Sequence, residues 1–198
     1  DGEFIRPSTT GKGQYGVVTV QVARGEVGSG LEISCSAPTR AIPKEFVSAV
    51  REGIENAYHS GPLLGYPMVD VKVEIIDGAY DDDDSSDVAF NVAGSMAYRA
   101  ACEAGHPVLL EPVMDVEIVV PEDHLGDVIG HVNAKGGEVR NMAGPTNGTN
   151  FVSAVLPLAN MFGYATELRS STQGRGTYSM QFAHYAQVSE ATSMRMIG

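Results

Sequence analysis

Between Leu158 and Phe182 the apolar residues of this chain change period, and that change fixes the order of its last elements. Leu158, Met161, Phe162, Ala165 and Leu168 fall at i, i+3, i+4, i+7 and i+10, one face of a helix. Arg169 lies in its last turn, and Gly174 and Gly176 then bracket a turn around Arg175. From Tyr178 the period falls to two. Tyr178, Met180 and Phe182 alternate with Thr177, Ser179 and Gln181, as a half-buried strand requires. A helix therefore passes through a glycine-rich, arginine-bearing turn into a strand.

The same reading extends backwards. Met114, Val116, Ile118 and Val120 alternate with Asp115 and Glu117, and Pro121 opens a helix with Leu125, Val128, Ile129 and Val132 on one face. A strand at 138–142, a turn at 144–148 and a strand at 151–156 complete the order βαββαβ, the split βαβ arrangement. Upstream, Val18, Val20 and Val22 mark one strand and residues 30–36 a second, after a turn at 25–30. Pro43 opens a helix with Phe46, Val47, Val50, Ile54 and Ala57 on its apolar face, and Gly61-Pro62 ends it. Val69, Val71, Val73 and Ile75 form a strand, and Ser85 or Ser86 caps a helix that Gly105 closes. The expected class is α+β in two domains, 1–107 and 108–198. Residues 1–4 read as an appended remnant within a loop-like polar stretch.

Composition narrows the chemistry. A net charge of −12 over 198 residues opposes a whole-surface footprint on nucleic acid, so any RNA contact must come from local cations. The two cysteines, Cys35 and Cys102, read as buried small hydrophobes, and no apolar run reaches the ~20 residues of a membrane span. His124 and His131 are seven apart on one helix, the wrong spacing for a two-histidine metal site, and read as structural. No Ser-His-Asp, Cys-His or paired-carboxylate arrangement stands out, so no catalytic, cofactor or metal residue is expected in this chain.

Longer segments carry a resemblance. GKGQYG (11–16), GYPMVDVKVEIIDGAY (65–80), DSSDVAF (84–90), PVLLEPVMDVEIVVPEDHLGDVIG (107–130) and PLANMFGYATELRSSTQGRG (157–176) resemble the fourth and fifth domains of elongation factor G. The resemblance implies a ribosomal-protein-S5-type first domain that reaches the decoding site. It implies a ferredoxin-like second domain beside the sarcin–ricin loop and stalk base of the large subunit. Implied partners are the rRNA of both subunits, A-site tRNA, mRNA and a stalk-base protein, for a monomer in the bacterial cytoplasm. GTP and Mg²⁺ would belong to the full-length parent, because no GxxxxGK[ST] loop occurs here, and the chain reads as the part of such a factor without its GTPase domain. The S5-like fold also occurs in ATP-using enzymes, but no phosphate loop or nucleophile supports that reading.

The resemblance also nominates residues. Gly11, Lys12, Gly13, Gln14 and Tyr15 form one tip loop of the fourth domain, with glycines that let backbone approach RNA, a cation, and a side chain able to meet a 2′-hydroxyl. The second tip loop, 78–86, contains Tyr80, Asp81, Asp82 and Asp83. Relatives typically carry a histidine important for translocation where Asp81 stands. The run of aspartates admits three readings: a solvated acidic turn, a tip reshaped for something other than efficient translocation, or Mg²⁺ bridging to phosphates. In the second domain the candidate rRNA contacts are Lys135, Arg140, Arg169 and Arg175. The family's basic cluster is thinned to AKGGE at 134–138. The implied function is translocation, with ribosome recycling or another non-translocating role as the alternative.

Overall fold

The computed structural model describes residues 2–6, 14–146, 148–189 and 192–194. The chain divides into two compact units, Asp1–Pro107 and Val108–Gly198. Among the described residues no helix is long and apolar enough to cross a membrane.

The first unit contains β1 (Gly2–Arg6), β2 (Gln14–Arg24), β3 (Leu31–Cys35), α1 (Lys44–Ser60), β4 (Val71–Ala79) and α2 (Asp87–Ala104). The sheet order is β1-β2-β4-β3. β2 pairs antiparallel with both β1 and β4, whereas β3 and β4 are parallel. A parallel pair needs a long crossover, and α1 supplies it. Val18, Val20, Val73 and Ile75 face Val50, Ile54, Phe90 and Ala97 in one core. α1 and α2 approach so closely that a Cβ on Gly53 would overlap the Asn91 carbonyl, and one on Gly94 would lie 2.8 Å from the Val50 carbonyl oxygen. Glycine is required there by space.

Three expectations change in this unit. Gly2–Arg6 is not loop-like: it forms an edge strand, with Phe4 opposite Gly16. β4 begins at Val71 rather than Val69, because Asp70 turns the backbone into the left-handed region at φ 53°. Cys102 is buried as expected, but Cys35, on the short edge strand β3, is only partly covered.

The second unit contains β5 (Leu110–Pro121), α3 (Leu125–Ala134), β6 (Glu138–Thr146), β7 (Thr149–Pro157), α4 (Tyr164–Ser171) and β8 (Thr177–Gln187). The sheet order β6-β7-β5-β8 is antiparallel throughout, the ferredoxin-like pattern. Val116, Ile118, Val120, Val152 and Leu156 pack against Val128, Val132, Tyr164 and Leu168.

The helix expected from Leu158 is broken. Leu158–Met161 forms a 3-10 turn, Phe162 is extended, and Gly163 takes φ 78° before α4 starts. Met161 and Leu168 are buried, but Phe162 is 80% exposed, and Tyr164 fills the core instead. α3 likewise begins after a 3-10 turn at Glu122–His124.

Candidate functional site

The antiparallel register that puts Val17 opposite Ala79 brings the start of β2 and the end of β4 to one end of the first sheet. Tyr80 and the aspartates follow there, and the backbone stitches them to β2. The Tyr15 N–H donates to the Asp84 carbonyl at 3.0 Å. The Ser85 hydroxyl donates to the Tyr15 carbonyl at 2.9 Å and accepts the Asp81 N–H at 2.9 Å. Ser86, not Ser85, caps α2, accepting the Ala89 N–H at 3.2 Å.

Asp81 turns inward on its own loop. Its Oδ1 accepts the N–H groups of Asp83, at 2.9 Å, and Asp84, at 3.0 Å, an Asx-type turn. Asp81, Asp82, Asp83 and Tyr80 are exposed, while Gln14 and Tyr15 are half-buried. Gly11, Lys12 and Gly13 lie outside the described residues. Sequence reasoning missed Ser85 as the bolt between the loops. Its signal was local: a serine four residues after an aspartate in a turn-forming run.

The four nominated cations of the second unit stand in different settings. Lys135, at the end of α3, lies 2.8 Å from Glu167 Oε2 and 5.6 Å above the Tyr164 ring, with its side chain only 18% exposed. His131 Nε2 lies 3.9 Å from the same carboxylate, so Lys135, His131, Glu167 and Tyr164 form one cluster between α3 and α4. Burial, then the Glu167 carboxylate, push the Tyr164 hydroxyl up to about 12. Arg140 pairs at 3.8 Å with Glu138 on the exposed surface of β6. Arg169 is exposed in the last turn of α4, where a cation offsets the helix's negative end.

Arg175 is held outward by its turn. Thr172 Oγ1 donates to the Leu168 carbonyl at 2.6 Å and accepts the Gly176 N–H at 2.8 Å, while the Arg175 N–H donates to the Thr172 carbonyl at 3.0 Å. The exposed Arg175 guanidinium lies 2.8 Å from His124 Nε2. Arginine only donates, so His124 accepts at Nε2 and carries its proton on Nδ1, 3.8 Å from the Asp127 carboxylate. The two histidines thus serve separate partners. Sequence reasoning missed the His124–Arg175 contact, which joins residues far apart in the chain.

The comparisons agree with this architecture. The family model for elongation factor G, domain IV, matches residues 2–106, and that for the elongation factor G C-terminus matches residues 108–196. A crystal structure of a protein from Thermus thermophilus is similar over 99% of this chain, with 31% identity and a TM-score of 0.86. The chain spans 29% of the length of that protein. On these matches, which run from the β1-edged sheet through the ferredoxin-like unit, the chain belongs to the elongation factor G family.

Proposed function

We propose that this chain is the C-terminal part of a ribosome-binding translational GTPase that drives tRNA–mRNA translocation. In this reading the tip of Gln14, Tyr15, Tyr80, Asp81, Asp82 and Asp83, with Gly11, Lys12 and Gly13, enters the A site. Arg175 and Arg169 face rRNA of the large subunit beside a stalk-base protein, while Lys135 and Arg140 spend their charge on Glu167 and Glu138. GTP and Mg²⁺ are bound and GTP is hydrolysed by the remainder of the parent, a monomer in the bacterial cytoplasm.

The observation that carries the reading is the stitched tip. The Tyr15–Asp84 and Ser85–Tyr15 hydrogen bonds tie the start of β2 to the acidic loop, so the described part of the tip is held as one piece. The Asp81 carboxylate favours a second reading, a paralogue in ribosome recycling or another non-translocating role. Negative charge beside RNA phosphates is only partly screened across a Debye length of ~8 Å.

Single-turnover translocation kinetics of the parent separate the two. Asp81→Asn keeps an acceptor for the turn and removes the charge, and Asp81→His supplies the histidine that the resemblance to elongation factor G implies there. If the charge limits translocation, both speed tRNA movement several-fold, about 1 kcal/mol off the barrier, with GTP hydrolysis unchanged. A parent that never translocates but splits subunits, whatever stands at 81, establishes the paralogue instead.

A further inference from the structure

β8 pairs with β5 along one side only, and no other described strand lies along its second side. An 11-residue edge presents a row of unpaired N–H and C=O groups, which proteins usually blunt with Lys, Pro or brevity. TYSMQFAHYAQ has no Lys, Arg, Asp, Glu or Pro. Its pairing with β5 is regular from Thr177 to Phe182 and slips only beyond, opposite Val113 and Met114.

The two faces beside this edge differ in chemistry. Met180 and Phe182 stand opposite Val116 and Met114 on the helix side, yet they are 42% and 54% exposed. Phe182 lies against Tyr185, ring centroids 5.1 Å apart. On the open side, Ser179 and Gln181 stand opposite Glu117 and Asp115. Both carboxylates are exposed, and neither has an ion-pair partner among the described residues. On β7 their neighbours are the uncharged Ser153 and Val155.

A strand added beside β8 would lie two inter-strand spacings from β5, about 9.6 Å, within reach of a Lys or Arg side chain. Its alternate residues would meet Met180 and Phe182. We propose that β8 is a β-augmentation site for an extended protein segment whose residues alternate between apolar and basic. The main-chain ladder supplies affinity, the exposed Met180 and Phe182 take the apolar residues, and Asp115 with Glu117 selects the basic ones. The same carboxylates disfavour a nucleic-acid strand along this edge.

The test uses the 198-residue chain and a labelled peptide of about nine residues alternating Val and Lys. Fluorescence anisotropy reads binding, and hydrogen exchange reads protection of the β8 amides. The expected result is saturable binding with protection confined to residues 177–182. Methylation of alternate peptide nitrogens, which keeps the charge but removes the ladder, should weaken binding about tenfold or more. Asp115→Asn with Glu117→Gln, exposed and nearly isosteric, should weaken it about threefold to tenfold. Equal binding of the methylated peptide would reduce the effect to charge attraction by an acidic protein and overturn the proposal. Unprotected β8 amides, or protection by self-association without peptide, would overturn it too.

Discussion

Asp70 holds a left-handed backbone at φ 53° because its carboxylate serves the turn across from it. Its Oδ1 accepts the Gly30 N–H at 2.9 Å, and its carbonyl accepts the Gly25 N–H at 2.7 Å, so one residue closes both ends of the β2–β3 turn. The Gly30 and Gly28 amides, helped by Arg24, hold the Asp70 carboxyl below its ordinary 3.8. A depressed folded-state value stabilises the fold above the unfolded value and loses that contribution as pH falls through the folded one. Asp70→Asn keeps an acceptor and tolerates the same φ, yet does not titrate. Between about pH 5 and pH 3 the urea midpoint of the parent chain should fall more steeply than that of Asp70→Asn. Parallel profiles would remove Asp70 from the acid response.

Tyr164 works in the opposite direction. Its hydroxyl, pushed up to about 12 by burial, is neutral when folded, so its contribution is present below 10.0 and lost as pH rises through about 12. That oxygen is buried without a hydrogen-bond partner among the described residues. Tyr164→Phe should therefore cost less than ~1 kcal/mol at neutral pH, or stabilise, because it removes an unsatisfied polar atom. The same change should carry unfolding to higher pH in an alkaline titration of folded fraction.

At the scale of elements, the strands and long helices were legible because each obeys one period over a long stretch. The 3.6 period of α1 and the alternations in β4 and β5 leave little room for another reading. The helix from Leu158 misled for a physical reason: i, i+3, i+4 spacing survives a break when the next turn restarts nearly in phase. Gly163 was the signal, one glycine at φ 78° that follows the extended, exposed Phe162 and starts α4 anew. β1 was illegible because Gly2–Arg6 pairs along one side only, with β2, and an edge strand needs little hydrophobic alternation of its own. The bonds that tie the acidic loop to the start of β2 were not legible, since they join Tyr15 to Ser85 across 70 positions. The break in the helix makes a quantitative prediction. Leu168→Ala should cost about 2–5 kcal/mol, as a core truncation does. Phe162→Ser, at a residue 80% exposed, should stay within ~0.5 kcal/mol. Equilibrium denaturation of both variants checks this, and a large loss for Phe162→Ser would restore the continuous helix.

For the whole molecule, the net charge of −12 and the settings of its cations act together on any rRNA contact. Lys135 already neutralises Glu167 at 2.8 Å, and Arg140 shares its charge with Glu138 at 3.8 Å. Arg169 and Arg175 remain exposed, and His124 leaves the Arg175 guanidinium its other donors. A phosphate neutralised on single-stranded or loop RNA contributes about −0.7 to the slope of log K against log salt. With the proposed contacts of Arg169, Arg175 and Lys12, binding of this chain to ribosomes should be weak, with a slope of about −2. Arg175→Ala should make that slope shallower by about 0.7, whereas Lys135→Ala should leave it nearly unchanged, because Lys135 spends its charge within the protein. Filter binding over a salt series measures all three. A slope of about −5 or steeper would require more phosphate contacts than this acidic surface offers. Tight binding that ignores salt would transfer the recognition to shape or to an apolar protein contact.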